Sequence, residues 1–180
     1  MADFPEIEVD LDISHKRRDL VKDKYDLALR FGLNSDDEQY VAKQIIECPM
    51  FLYCSADYYR ERKPKLLIKS LNEQPIVCSR AQEVWSFTNK QGEKIQQTVN
   101  SRFYASSAAF KRDAVIKGVG ISLLPEFICR DAVIQGKLIK MDFDVQPIKA
   151  AFYAIYQPSH YQNPKLHRLL DYLLKGLKGL

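Results

Sequence analysis

The segment SRFYASSAAFKRDAVIKGVGISLLPEF, residues 101–127, holds three runs of different character in close succession. Arg102–Tyr104 is aromatic and suits an extended backbone. Ala108–Lys117 contains helix-forming residues and neither Gly nor Pro. Gly120–Pro125 is short, apolar and closed by proline. The segment therefore predicts a compact strand–helix–strand unit.

The ends of the predicted helix carry capping residues. Ser106 and Ser107 can supply the N-cap oxygen, and Gly118 stands where a left-handed C-terminal residue is favoured. A helix N-terminus at the ends of strands presents unpaired backbone N–H groups and the positive end of the helix dipole, which favour an anion. The same residues also suit a plain capped core helix, and this segment alone leaves both interpretations open.

A second unit of this kind is predicted near the N-terminus. Ile7–Ile13 alternates apolar and polar residues, which predicts a strand with one buried face. Ser14 would cap a polar helix over His15–Lys24, and Asp26–Phe31 would form the next strand. Short crossovers of this type join parallel strands.

The middle of the chain predicts further short elements. They are extended segments over Tyr40–Ile46 and Met50–Cys54, a helix over Ala56–Arg62 capped by Ser55, a buried strand over Pro75–Cys78, a hairpin over Glu83–Val99, a helix over Cys129–Val133, and strands over Leu138–Phe143 and Ala150–Tyr156. Alternation of strands and helices predicts an α/β fold with largely parallel sheets.

The last predicted helix begins at Asn163-Pro164, an N-cap residue followed by proline at the first helical position. Its leucines recur at helical spacing and form one apolar face, which should pack on a sheet or a partner. They are Leu166, Leu169, Leu170, Leu173, Leu174 and Leu177.

Composition narrows the class of protein. The chain has 180 residues, a net charge of +4 and 46% hydrophobic residues, as expected for a globular protein with a real core. Its four cysteines show no CxxC spacing and its three histidines form no HExxH pair. The N-terminal residues MADFPEIEVDLD have neither the positive nor the apolar region of a signal peptide, which predicts a cytoplasmic protein with reduced thiols.

Motifs for catalysis and cofactors do not appear in the sequence. GxSxG, the phosphate-binding GxxxxGK[ST] loop and GxGxxG are all missing. Gly118-Val119-Gly120 ends a helix rather than beginning one, which is the wrong place for a dinucleotide. We therefore expect neither enzymatic activity, nor a cofactor, nor a metal site.

Three segments together resemble the effector-binding domain of LysR-type transcriptional regulators. Residues 6–32, EIEVDLDISHKRRDLVKDKYDLALRFG, resemble the family's second strand, the helix after it and the third strand. Residues 40–62 resemble its crossing strand and helix, and residues 101–127 its A-L-R-x-A-A-x-A-G-x-G-I-A-L-L-P-x-F motif. Leu138 and the final strand and helix also fit, so the resemblance covers nearly the whole chain.

The resemblance implies an α/β fold of two Rossmann-like lobes, as in type 2 periplasmic binding proteins. Residues 1–49 with 150–180 would form lobe one, and residues 50–149 lobe two. The family's helix-turn-helix domain has no counterpart in these residues. Met1–Pro5 corresponds to the end of the first helix of lobe one, so we expect that lobe to lack its first strand and the chain to be a fragment or a truncated product.

The same resemblance implies a ligand site in the cleft between the lobes, where open α/β sheets bind small molecules. The implied ligand-binding residues are Ser14, Arg30, Ser55, Phe103, Tyr104, Ser106 and Ser107. A structural ion pair is an equally good interpretation of Arg30, and core packing of Phe103. The expected ligand is a small anionic effector.

The implied role is effector sensing without catalysis, in a homodimer or tetramer that meets DNA only through the helix-turn-helix domain and does not bind membranes. Three other hypotheses remain open. They are a solute-binding protein of the periplasmic type, a small α/β enzyme, and a remnant of a regulator that no longer functions.

Overall fold

The fold is described from a computed structural model that covers residues 4–14, 18–32, 37–62 and 67–177. The strands are β1 (Ala28–Phe31), β2 (Val41–Cys48), β3 (Met50–Ser55), β4 (Val77–Cys78), β5 (Val84–Thr88), β6 (Lys94–Thr98), β7 (Phe103–Tyr104), β8 (Ser122–Pro125), β9 (Leu138–Lys140), β10 (Gln146–Pro147) and β11 (Ala150–Tyr156). The α-helices are α1 (Ala56–Arg62), α2 (Ala108–Ile116), α3 (Glu126–Ile134) and α4 (Pro164–Leu177).

One sheet joins the two ends of the chain. Its order is β1-β11-β2, and both pairings are antiparallel. Helix α4 covers this sheet because Leu166 and Leu170 pack against Ala154 and Tyr156. The predicted apolar face of α4 is therefore used, although Leu169 keeps 38% of its surface exposed.

A second sheet is formed by the middle of the chain. Its order is β8-β3-β9, again antiparallel, and a parallel bridge between Ile76 and Ile121 links it to the parallel pair β4-β7. The prediction of largely parallel sheets is therefore wrong. Strand β3 takes its neighbours from far along the chain, and local alternation of elements does not encode the direction of such pairings.

The predicted hairpin pairs β5 with β6, and β10 adds to its other edge. Asn89 organises the turn, because its side-chain oxygen accepts the N–H groups of Gln91 at 3.0 Å and Glu93 at 2.9 Å. Strand β10 lies just before residue 150, where the predicted lobe two ends, so this end of lobe two is hydrogen-bonded into the hairpin sheet.

Helix α2 forms with the predicted caps. The Ser107 hydroxyl accepts the Phe110 N–H at 3.3 Å. At the other end Gly118 has φ +77°. The Val119 N–H donates to the Ala114 carbonyl at 3.1 Å and the Gly118 N–H to the Val115 carbonyl at 2.9 Å, which are the two hydrogen bonds of a Schellman motif. Helix α3 begins three residues earlier than predicted, directly after Pro125.

The prediction of a strand over Ile7–Ile13 is wrong. Within the described residues the segment pairs with no strand, and Val9, Leu11 and Ile13 are exposed, Ile13 by 85%. Alternation predicts a buried face only where a neighbouring element covers it. The described residues supply no such neighbour.

The predicted helix over His15–Lys24 is described only from residue 18, and His15–Arg17 lie outside the described residues. Residues 20–24 form a turn that ends at Lys24 with φ +58°. The Asp19 carboxylate caps this turn by accepting the N–H groups of Lys22 at 3.1 Å and Val21 at 2.9 Å. The hydrogen bond from Lys22 is the main cause that lowers the pKa of Asp19.

The core consists of three clusters of buried side chains. The largest lies around Leu52, Trp85 and Phe87, the second around Tyr53, Val115 and Leu138. The third is the α4 contact with the first sheet. In the part of the chain that the structure describes, no helix has the length and apolar character needed to cross a membrane.

Candidate functional site

The carboxyl ends of two parallel strands meet the start of α2. Cys78 ends β4 and Tyr104 ends β7, and the two residues are register partners. The Ala105 N–H donates to the Cys78 carbonyl at 2.9 Å, which fixes the short link into α2. Ser106 is exposed and Ser107 is half-buried at this edge. This is the place where α/β sheets bind ligands.

Aromatic side chains flank the same edge. The rings of Phe103 and Phe110 stack with centroids 6.3 Å apart. The Arg80 guanidinium lies over the Tyr104 ring, 4.1 Å from its centroid. Burial raises the pKa of Tyr104, and the nearby Glu83 carboxylate raises it further. Phe103 and Tyr104 are both half-buried, so they are available in part to a ligand.

Lys111 lies one turn into α2 and is only 5% exposed. Its ammonium donates to the Gln82 side-chain oxygen at 3.3 Å, and the Ser79 hydroxyl donates to the same oxygen at 3.2 Å. Burial lowers the pKa of Lys111, and interaction with Cys78 opposes this. A buried ammonium with a neutral oxygen as its hydrogen-bond acceptor is an unusual arrangement.

The lowered pKa of Lys111 predicts a pH dependence of stability. Below 10.5, the ordinary value, there is a window in which the unfolded chain holds a proton that the folded chain has lost. The free energy of unfolding should rise with pH through that window. Lys111→Met should be more stable than the parent at neutral pH, and this advantage should shrink as the pH approaches 10.5. Denaturant unfolding of both proteins from pH 7 to 10.5 measures it; an advantage that grows with pH contradicts the assignment.

Lys111 interacts with Cys78, and Arg80 and Glu83 act in turn on Cys78. They are common to parent and variant. The difference between the two unfolding free energies therefore reports the contribution of Lys111 together with its effect on Cys78, whose pKa Lys111 lowers.

Ser55 lies at the other end of α2. It is buried, and its hydroxyl accepts the Tyr58 N–H at 3.1 Å, which confirms the predicted cap of α1. An open cavity of about 630 Å³ lies beside it, lined by α1 and by the last turn of α2 with Lys117–Val119. A helix of the length of α2 spans roughly 14 Å, so Ser55 and Ser107 do not share one ligand subsite on this helix.

Arg30 lies on β1 and forms an ion pair with the buried carboxylate of Asp37. Its guanidinium also donates to the Arg18 carbonyl at 2.7 Å. The structural ion pair that we considered for Arg30 is therefore present. Ser14 is exposed, and the described residues after it form no helix for it to cap.

A smaller cavity of about 220 Å³ lies between the first sheet and α3. Apolar side chains form most of its wall, including Ile45, Phe127 and Phe152, and Leu177 closes it from α4. The cavity lies next to Pro49, where the chain passes from β2 to β3. Its walls thus come from both predicted lobes.

All four cysteines are buried free thiols. Burial raises the pKa of Cys54 to about 11 and that of Cys129 to about 12. These thiols are protonated at neutral pH, so they are poor nucleophiles and poor metal ligands.

The structure groups four of the seven predicted ligand residues, namely Phe103, Tyr104, Ser106 and Ser107, on β7 and the start of α2. Ser14, Arg30 and Ser55 lie on other elements. Whether any of the seven binds a ligand stays a prediction. Sequence reasoning missed Lys111, although a signal was available, since Lys111 shares one face of α2 with the buried Ala114 and Val115 at helical spacing.

Comparison with known proteins identifies the family. Residues 1–178 match the family of the LysR substrate binding domain. The HTH-type transcriptional regulator PtxR of Pseudomonas aeruginosa is 23% identical over 97% of this chain and 56% of its own length. The HTH-type transcriptional regulator CrgA of Neisseria meningitidis is 25% identical over 97% of this chain and 58% of its own. The chain thus spans little more than half of these relatives.

Solved structures agree on the fold. The full-length virulence activator AphB of Vibrio cholerae superposes with a TM-score of 0.79 at 26% identity, over 98% of this chain and 60% of its own. The regulatory domain of an AphB variant from Vibrio vulnificus gives 0.81 at 21% identity, over 97% of this chain and 87% of its own. The fold expected from the resemblance, that of type 2 periplasmic binding proteins, is confirmed. The chain belongs to the family of the LysR substrate binding domain.

Proposed function

We propose that this domain senses a small anionic effector at the edge where β4 and β7 meet the start of α2, and that it does so without chemical conversion. The observation that carries the proposal is the capped N-terminus of α2 at the carboxyl ends of two parallel strands. There Ser106 and Ser107 offer hydroxyls next to unpaired backbone N–H groups.

Two lobes would hold the effector between them. Residues 1–49 with 150–180 would form one lobe and residues 50–149 the other. The sheet β1-β11-β2 draws only on the first set, and the strands of the other sheets lie within the second. Under this proposal Ser14 and Arg30 would face the effector from lobe one, and Phe103 and Tyr104 from lobe two. Ser55, at the other end of α2, would not contact the same small ligand.

The effector would act by binding one arrangement of the lobes more tightly than another, since a ligand shifts an equilibrium only by that difference. In the intact regulator the shift would pass to a homodimer or tetramer, and DNA contact would lie in a helix-turn-helix domain. The relatives are named as HTH-type regulators, and the chain spans 56–58% of them, which leaves length for such a domain. We place this regulator in the cytoplasm, where DNA is accessible to it.

The test is a thermal melt of the purified chain against a library of small carboxylates and neutral molecules. An effector at a hundred times its Kd should add about 2.7 kcal/mol to the free energy of unfolding. In Ser106→Ala, Ser107→Ala the shift should shrink several-fold, because two hydroxyl contacts are lost. The shift, not the melting temperature, is compared, since losing the Ser107 cap alone costs about 1 kcal/mol.

Ser159→Ala, in an exposed turn before α4, is the matched control and should keep the full shift. A library that produces no shift at all would argue against sensing. An effector that the double variant binds as well as the parent would move the site away from α2. Chemical turnover of the effector would contradict the non-catalytic role.

A further inference from the structure

The ammonium of Lys111 is a buried charge, and no residue within the described ranges forms a salt bridge with it. Among the described residues, the Gln82 side-chain oxygen is the one hydrogen-bond acceptor within reach of its nitrogen. An ammonium has three donors, and taking it out of water is costly unless an anion or several acceptors replace the water. The Lys111 ammonium is therefore buried with neither an anion nor the several acceptors that would normally stabilise it.

The other charges nearby are already engaged. The Arg80 guanidinium lies over the Tyr104 ring, and Glu83 interacts with the Tyr104 hydroxyl. Lys111 thus leaves a local excess of one positive charge at the edge of β4 and β7. One positive charge suits a singly charged carboxylate better than a dianionic phosphate.

Gln82 covers this ammonium from the solvent side. The residue itself is exposed, whereas Ser79 and Lys111 beneath it are buried. Its amide oxygen accepts from both of them, at 3.2 and 3.3 Å. A neutral oxygen on an exposed, flexible side chain therefore stands where an oxygen of an anion would be bound more strongly.

We propose that Lys111 is the anchor for the carboxylate of a small ligand, and that the Gln82 side chain covers the anchor in the unliganded domain and moves aside when the ligand binds. The Ser79 hydroxyl would donate to the same carboxylate. This assignment rests on the proposed function and deepens it, because it names the charged group of the effector and the side chain that receives it. The lowered pKa of Lys111 agrees with an ammonium that lacks its anion.

The test uses the whole chain with acetate and benzoate as probes, and chloride at equal ionic strength as the reference. The parent should melt at a higher temperature in at least one carboxylate than in chloride. Lys111→Met should weaken carboxylate binding roughly tenfold to a hundredfold, as expected for one charge-assisted hydrogen bond. Lys90→Met removes the same charge from an exposed turn and should bind as the parent does.

Gln82→Glu is a second variant that keeps Lys111. It places a carboxylate within the domain at the position of the amide oxygen, so it should melt at a higher temperature in chloride and lose the response to added carboxylates. Gln82→Ala removes the cover and should bind carboxylates at least as tightly as the parent.

The outcomes separate this inference from the proposed function. A carboxylate shift that survives in Lys111→Met overturns the anchor but leaves effector sensing in place. If neutral library molecules raise the melting temperature of the parent and no carboxylate does, the anchor is likewise overturned and effector sensing stays in place. Loss of the shift in Lys111→Met together with its survival in Ser106→Ala, Ser107→Ala supports the anchor and moves the site off the serines.

Discussion

Gly120→Ala is expected to cost about 4 kcal/mol or more of the free energy of unfolding, enough to leave much of the chain unfolded. A methyl group at Gly120 would overlap the Pro75 carbonyl oxygen and lie 2.8 Å from the carbonyl carbon. Both are backbone atoms, so no side-chain rotation relieves the contact.

Relief requires β8 to move away from β4. The Ile121 N–H donates to the Pro75 carbonyl at 2.8 Å, and the Val77 N–H donates to the Ile121 carbonyl at 2.9 Å. These two bonds join the sheet β8-β3-β9 to the pair β4-β7, and the methyl group would break both. The edge that presents the proposed ligand site would be lost with them.

Urea unfolding measures the effect, and Gly176→Ala is the matched control. Gly176 lies in α4 with open space around its Cα, so alanine there should stabilise the chain slightly through helix propensity. The two substitutions are chemically identical and should differ in sign. A Gly120→Ala protein as stable as the parent would show that β4 and β8 do not approach as closely as described.

Arg30→Met is expected to give the second large loss of the free energy of unfolding. It removes the cation that faces Asp37, whose side chain is 3% exposed, while the Arg30 side chain is 11% exposed. Leaving a buried carboxylate without its cation costs about 3–5 kcal/mol. The guanidinium also holds the Arg18 carbonyl, so the turn that precedes β1 should loosen as well.

Arg60→Met provides the comparison, since Arg60 pairs with Asp57 on α1 with both side chains 76% exposed. Exposed pairs contribute little, and we expect no measurable change in the urea midpoint. Adding Asp37→Asn to Arg30→Met should recover part of the lost stability, because it removes the charge left behind. Equal effects of Arg30→Met and Arg60→Met would refute the buried ion pair.

The elements that the sequence predicts correctly are those whose signals are local. Ser55, Ser107 and Gly118 act within a single helical turn, and α1 and α2 begin or end where these residues stand. The strand predicted over Ile7–Ile13 would need a neighbouring strand to pair with, and the alternation of apolar and polar residues does not predict whether one is present.

The site shows the same division. Four predicted ligand residues lie together on β7 and the start of α2 because they are close in sequence, namely Phe103, Tyr104, Ser106 and Ser107. Lys111 and Gln82 meet only after β4 and β7 have paired, so spacing along the chain gives no hint of their contact. The position of Lys111 within the apolar stripe of α2 could be predicted from the sequence, but its hydrogen bond to Gln82 could not.

The passage from the first sheet to the second runs through one residue, Pro49, which separates β2 from β3. The proline ring fixes φ, and the Pro49 carbonyl accepts the Glu126 N–H at the start of α3 at 2.9 Å. The ring thus restricts the backbone at the one residue that joins the two strands. Any twist of one sheet against the other must either break that hydrogen bond or turn α3 as a lever, and with it Phe127 in the wall of the small cavity. A change in the angle between the two sheets would then be accompanied by a change in the orientation of α3.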